Sequence, residues 1–225
     1  MINPVITYKE LCITENVRSI QKGMNFRLNE RYSVILMSCR KSAPYVDSVE
    51  ENEIIIYEGH NIPAQTKGVL PENADQPYYT KNKKLTENGK FALAVHLMKN
   101  GKRDKEHVKI YEKLYSGLWV YRGLFLLEDY EYLFNGQRKV FRFTLVPYTG
   151  KKVIELSGDN TRYIPSGVKK TVWLRDKGKC VICGSQENLQ FDHDLPFSKG
   201  GASISTDNIR ILCAGCNIKK SNKIE

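Results

Sequence analysis

The residues best suited to chemistry lie near the end of the chain. Cys180 and Cys183 in "CVIC" and Cys213 and Cys216 in "CAGC" form two C-x-x-C pairs separated by 29 residues. Four thiolates in two such pairs are the natural tetrahedral set for structural zinc, and a closed site of that kind holds structure without an open position for catalysis. Thiol redox chemistry would need a thioredoxin-like βαβ setting, which is absent around these pairs. Between them runs "LQFDHDLPFSKGG", residues 189–201, with His193 flanked by Asp192 and Asp194. On residue types alone this triplet is open to three readings: a metal site, an acid–base pair, or a polar strand end. Neighbouring residues of a regular strand point to opposite faces. Asp192 and His193 can therefore converge only where the strand breaks, and Pro196 just downstream favours a break.

The elements that must carry these residues fall into two textures. From residue 31 to 146, "YSVILMS", "EIIIYEG", "HVKIY", "GLWVYRGLFLLEDY" and "KVFRFTLV" are rich in β-branched and aromatic residues and bounded by turn signals. "NGQRK" reads as a hairpin connection. One helix interrupts the strands: after "LTENGK", Phe91, Ala94, Val95 and Met98 recur at helical spacing and Gly101 ends it. Residues 1–30 form an N-terminal extension with a short helix expected around residues 14–23. Residues 147–167 carry the Pro, Gly and Asp-Asn signals of a linker, and "VKKTVWLRDKG" then has the pattern of a short amphipathic helix.

Composition bounds the function classes. At 225 residues, 41% hydrophobic and 27% charged, the chain suits one larger and one smaller folded unit. A formal net charge of +10 favours partners rich in phosphate. The last 65 residues hold 11 Lys or Arg against 6 Asp or Glu, so the short unit is the more charge-dense. No membrane partner is expected, because the most apolar stretch is short and interrupted by Arg122, and no export segment opens the sequence. Paired cysteines used for metal suit a reducing cytoplasm. Cys12, Cys39, His96 and His107 read as structural residues.

Residues 168–225 resemble the zinc-stapled HNH, or ββα-metal, nucleases. The likeness rests on Asp192-His193, Pro196, Gly200-Gly201, Asn208 before "IRILC", and Cys216-Asn217 with Lys220 beyond. It implies that His193 is the general base that takes a proton from water, as an imidazole can near neutral pH. Asp192 and Asn217 would offer hard oxygens to one Mg²⁺ or Mn²⁺, and Asn208 would brace the loop and orient the histidine. Asp194 has no place in that set and reads as a solvated loop residue. Lys199, Lys219, Lys220 and Lys223 are expected phosphate contacts.

Residues 31–146 resemble the SRA (SET- and RING-associated) domain, particularly bacterial versions fused to HNH nucleases. The likeness is carried by "Y-x-D … Y-E-G-H", by Asp75-Gln76 followed by "LTENGKF", and by the paired strands with "WVYRG". It implies a modified cytosine flipped out of duplex DNA into a pocket, with Tyr45 and Tyr57 as stacking rings. Asp47 would accept from the exocyclic amine. Ser48 and Glu58 are further candidates for edge contacts, although Glu58 departs from the Thr of eukaryotic relatives. His60 and Asn61 are expected to line the groove.

The fold expected is therefore α+β: a curved, largely antiparallel, barrel-like reader with one packed helix, then a small ββα-metal unit stapled by zinc. The activity implied is endonucleolytic cleavage of duplex DNA bearing 5-methylcytosine or 5-hydroxymethylcytosine. One HNH site cuts one strand, so a double-strand break implies a homodimer or two binding events. A non-cleaving reader, or a nuclease for unmodified or branched DNA, are the competing expectations.

Overall fold

Among the described residues the β-rich texture becomes one branched sheet of ten strands. The computed structural model describes residues 3–40, 43, 45–63, 68, 70–148, 164–196, 198, 201–203 and 205–220. In chain order the elements are β1 (Asn3–Thr7), α1 (Tyr8–Thr14), β2 (Met24–Asn29), β3 (Tyr32–Met37), β4 (Ser48–Val49), β5 (Ile55–Glu58) and α2 (Glu87–Lys99). There follow β6 (His107–Tyr115), β7 (Leu118–Phe134), β8 (Lys139–Pro147), α3 (Ser166–Arg175), β9 (Leu189–His193), β10 (Ile209–Cys213) and α4 (Ala214–Lys220).

The 17-residue β7 is the spine. Its first half lies between β1 and β6, and its second half hands over to β8, which carries β5 and then β4. Among the described residues the strands pair antiparallel with one exception: β3 and β6 run parallel, Met37 beside Glu112. Parallel partners need a long crossover, and the chain between these two contains β4, β5 and α2.

Helix α2 packs Phe91, Ala92, Ala94 and Val95 into the main core, against Ile35, Ile110, Phe125 and Phe143. It begins four residues earlier than its apolar spacing suggests. Thr86 caps it by accepting from the Gly89 N–H, which draws Glu87–Lys90 into the first turn. The short N-terminal helix also lies elsewhere than expected: α1 spans Tyr8–Thr14, not residues 14–23. Thr7 and Glu10 close a capping box there, a T-x-x-E signal that outweighs the weak amphipathic pattern downstream.

The expected linker, residues 147–167, falls mostly outside the described residues. On either side of it the chain is joined by β1. This strand pairs with β7 through Val5 and Val120, and with β9 through Asn3 and Phe191. A second apolar cluster spans the same boundary, uniting Leu114 and Val120 with Ile164, Val172, Leu189, Phe191 and Ile209. Among the described residues, no helix is long and apolar enough to cross a membrane.

Candidate functional site

Helix α3, the β9–β10 hairpin and α4 bring the four cysteines together. Cys180 and Cys183 sit in the turn after α3, Cys213 ends β10, and Cys216 lies in the first turn of α4. All four sulfurs lie within 4.8 Å of one another, with Cys183 Sγ 3.6 Å from Cys213 Sγ. Zn–S bonds of ~2.3 Å place tetrahedral sulfurs roughly 3.8 Å apart, so the cluster fits zinc. Its electrostatics agree. Burial opposes the Cys180 thiolate, but donors from the Cys183, Cys213 and Ile182 backbone outweigh it and bring the thiol down to about 6. Hydrogen bonding to the Cys213 and Cys183 sulfurs pushes Cys216 up to about 12. Thiolates crowded this closely repel further negative charge, and a divalent cation relieves the repulsion.

The expected nuclease residues lie at the mouth of the same hairpin. Strand β9 ends at His193, which pairs with Ile209. Asp192 and His193 stand at the end of the strand and bond different partners. Asp192 faces α4, where the Lys220 ammonium donates to its Oδ2 at 2.5 Å and also to the His193 carbonyl. The His193 imidazole faces Ser203, with Nε2 2.8 Å from Oγ. Asn217, one turn before Lys220, donates from Nδ2 to Gln190 Oε1 at 2.7 Å. With Nδ2 committed to that bond, the amide oxygen is the Asn217 atom able to serve as a hard ligand. One carboxylate and one amide oxygen make a sparse set. It suits Mg²⁺, which keeps most of its waters and takes substrate phosphate as a ligand.

Asn208 ends a 3-10 turn and fastens the loop that follows His193. Its Oδ1 accepts from the Leu195 N–H at 2.7 Å, and its Nδ2 donates to the Leu195 and Ala202 carbonyls. The amide braces the loop, and Ser203 on that loop contacts the imidazole. Gly201 closes the same loop, because a Cβ there would lie 1.9 Å from the Leu195 carbonyl oxygen. Gly201→Ala is therefore expected to force the loop off Asn208, an overpacking penalty of about 1–3 kcal/mol. Cleavage should fall while DNA binding is kept; an unchanged melting temperature and cleavage rate would exclude this role for the loop.

Two residues depart from their expected surroundings. Lys220 is 1% exposed and committed to Asp192 and the His193 carbonyl, so it is not the solvent-facing phosphate contact its position suggests. Asp194 is not simply solvated: it forms an ion pair with Arg210 at 3.0 Å. Lys219 is exposed as expected. Lys199 and Lys223 lie outside the described residues.

The expected base pocket is built on β5 and the turn after it. Asp47 accepts from the Ser38 N–H at 2.9 Å and the Glu58 N–H at 3.1 Å, and burial pushes its carboxyl up to about 7. The half-buried Tyr45 lies nearly parallel to the His60 ring, centroids 6.0 Å apart at 25°. Tyr57 is 1% exposed within the main core, its hydroxyl 3.3 Å from His60 Nε2. Burial brings the His60 imidazole down to about 4, so it is neutral at neutral pH.

Glu58 and Ser48 differ from the edge contacts expected of them. Both Glu58 carboxylate oxygens are spent inside the protein: Oε2 on the Val46 N–H, Oε1 on Gln76 and on Arg138, an ion pair with both side chains buried. Ser48 donates to Glu50 at 2.5 Å. The turn itself is held by residues whose service the sequence did not reveal. Gln76 donates to the Gly59 carbonyl, and the Asn88 amide spans the N–H and carbonyl of His60. Only glycine fits at 59, where a Cβ would sit 2.7 Å from both Asn88 Oδ1 and Gln76 Oε1.

The comparisons with known proteins divide the chain along the same line. The SAD/SRA domain matches residues 7–151, and the HNH endonuclease family matches residues 180–223. Among solved structures, the chain is similar to the SUVH5 SRA domain in complex with hemi-methylated CG DNA, at 20% identity and a TM-score of 0.44. That match covers 66% of this chain and 88% of the other. It is similar to the SUVH5 SRA domain bound to fully hydroxymethylated CG DNA, at 20% identity and 0.45, covering 66% and 89%. It is also similar to the modification-dependent TagI restriction endonuclease, at 16% identity and 0.41, covering 96% and 75%. No curated protein matches the chain. The SRA match takes in well over half of the residues, so the chain belongs to the SAD/SRA domain family and carries an HNH endonuclease domain behind that reader.

Proposed function

We propose that the protein is a modification-dependent DNA endonuclease that flips a modified cytosine from duplex DNA and hydrolyses a phosphodiester nearby. The observation that carries this reading is one chain holding both a family-matched modified-base reader and an HNH hairpin with Asp192, His193, Asn208 and Asn217 all present. The structural ion is zinc on Cys180, Cys183, Cys213 and Cys216. The catalytic ion is Mg²⁺ or Mn²⁺ on Asp192 and Asn217, where it would supply charge neutralisation on the phosphate and the departing oxygen.

In the nuclease centre His193 takes the proton of the attacking water. Ser203 holds the ring, and Asn208 keeps the loop that carries Ser203 closed. Lys219 meets the DNA backbone. In the reader, Tyr45 stacks on the flipped base and Asp47 accepts from the cytosine amine, a donor that thymine lacks. Tyr57 and His60 form the wall behind it, and Glu58 holds the Tyr45–Asp47 loop to β5. We assign the protein to the cytoplasm, with two copies or two binding events needed for a double-strand break.

The test is one duplex sequence prepared plain, with 5-methylcytosine and with 5-hydroxymethylcytosine, incubated with protein and Mg²⁺. Cleavage of at least one modified form and survival of the plain form is the expected result. Equal cutting of all three would leave an HNH nuclease without a modification reader. Binding of modified duplex without any cutting would leave a reader alone.

A further inference from the structure

Two separate connections tie the base pocket to the nuclease hairpin. The first is strand β1, held on one side to β7 and on the other to β9, the strand that ends in Asp192 and His193. The second is ionic and fully buried. Lys169 on α3 is 0% exposed, and its ammonium donates to Glu112 Oε2 of β6 at 2.6 Å; Arg122 of β7 lies 3.9 Å from the same oxygen. Glu112 pairs with Met37 at the end of β3, and the next residue, Ser38, donates its N–H to Asp47. One strand pair thus separates the pocket carboxylate from the helix that packs on the nuclease hairpin. A buried charge pair tolerates little displacement, because breaking it strands a charge away from water.

We propose that this joint is a ruler: it holds the nuclease centre at one fixed offset from the flipped base, with Glu112 and Lys169 as positioning residues. A reader and nuclease joined only by a flexible segment would sample many offsets and cut over a range of bonds. A shared sheet, a shared apolar cluster and a buried ion pair confine the scissile bond to one position per strand. The inference rests on the proposed modification-dependent cleavage, and it adds where the cut must fall.

Two experiments test it. In the first, a protease site is inserted within residues 149–163 of the full chain, the chain is cut there, and the product is passed through native size exclusion. The two fragments are expected to elute together at the size of the 25.9 kDa chain; separate elution would overturn the joint whether or not the protein cleaves DNA. In the second, cuts are mapped to the nucleotide on a duplex with a single modified cytosine. Wild type should give one dominant bond per strand, and Lys169→Met should spread cutting over several neighbouring bonds with modified-duplex binding intact. A broad wild-type distribution, or a variant as sharp as wild type, would overturn the ruler. Failure to cut any modified duplex would instead count against the proposed function, leaving the elution result to decide the joint.

Discussion

His193→Ala is expected to remove DNA cleavage while leaving binding to a modified duplex within about twofold of wild type. General-base catalysis contributes roughly 10²–10⁴-fold to a rate, and no second histidine lies in the C-terminal unit to take its place. The imidazole is half-buried at the strand end and bonds Ser203, whereas backbone pairing holds the β9–β10 register and the four thiols hold the cysteine cluster, so both should survive its loss. The proposed pocket residues Tyr45 and Asp47 lie in the segment between β3 and β4, held by Ser38, Glu58 and His60. His193→Gln sharpens the measurement, since its amide can keep a bond to Ser203 but cannot accept a proton at neutral pH. Both variants should be inactive in single-turnover cleavage with excess enzyme. A Gln variant cutting at wild-type rate would show that the histidine positions and does not transfer protons.

What could be read from the sequence was what is local. The C-x-x-C spacing and the apolar face of α2 each lie within a short window, and the four thiols cluster and the helix buries that face as the spacing suggests. The motifs "D-Q" and "L-T-x-N-G" pointed to a family without disclosing their work, because their partners are remote. Gln76 and Asn88 clamp the turn at residues 59–60, 17 and 28 residues upstream of them. Glu58 read as a base contact because Arg138, which occupies it, is 80 positions away. Lys220 read as a surface cation for a similar reason: a seven-residue helix gives too little periodicity to tell which of Lys219 and Lys220 turns inward. The bridging strand was the least legible element. "NPVIT" is five residues long, and its partners begin at 118 and 190, so nothing nearby marks it as the link between two units.

Stripping the metal from the cysteine cluster should have the other large effect, and Cys183→Ser is the variant that isolates it. Cys183 is exposed, so replacing sulfur by oxygen there removes little packing; Cys180, by contrast, is buried in the apolar cluster. Structural zinc in small domains contributes on the order of 10–16 kcal/mol of apparent binding free energy at neutral pH. That is comparable to the whole stability of an ordinary domain, about 5–15 kcal/mol. The hairpin keeps its pairing with β1 and its apolar cluster, but the ion is the tie that closes it on α4 and on the turn after α3, and losing it should melt this closure and end cleavage. The reader should persist, since its core beneath α2 and the Gln76, Asn88 and Arg138 clamps lie apart from the cysteines. It should not persist untouched, because Leu114 and Val120 lose the cover of Val172, Phe191 and Ile209 when the hairpin unfolds. Elemental analysis should find about one zinc per wild-type chain and much less in the variant. Calorimetry should show a lowered first transition, and modified-duplex binding should remain measurable. A Cys183→Ser protein that keeps its zinc and melts with wild type would mean that three sulfurs suffice and the fourth is dispensable. A reader that unfolds together with the hairpin would mean that the bridging strand makes the whole chain one cooperative unit.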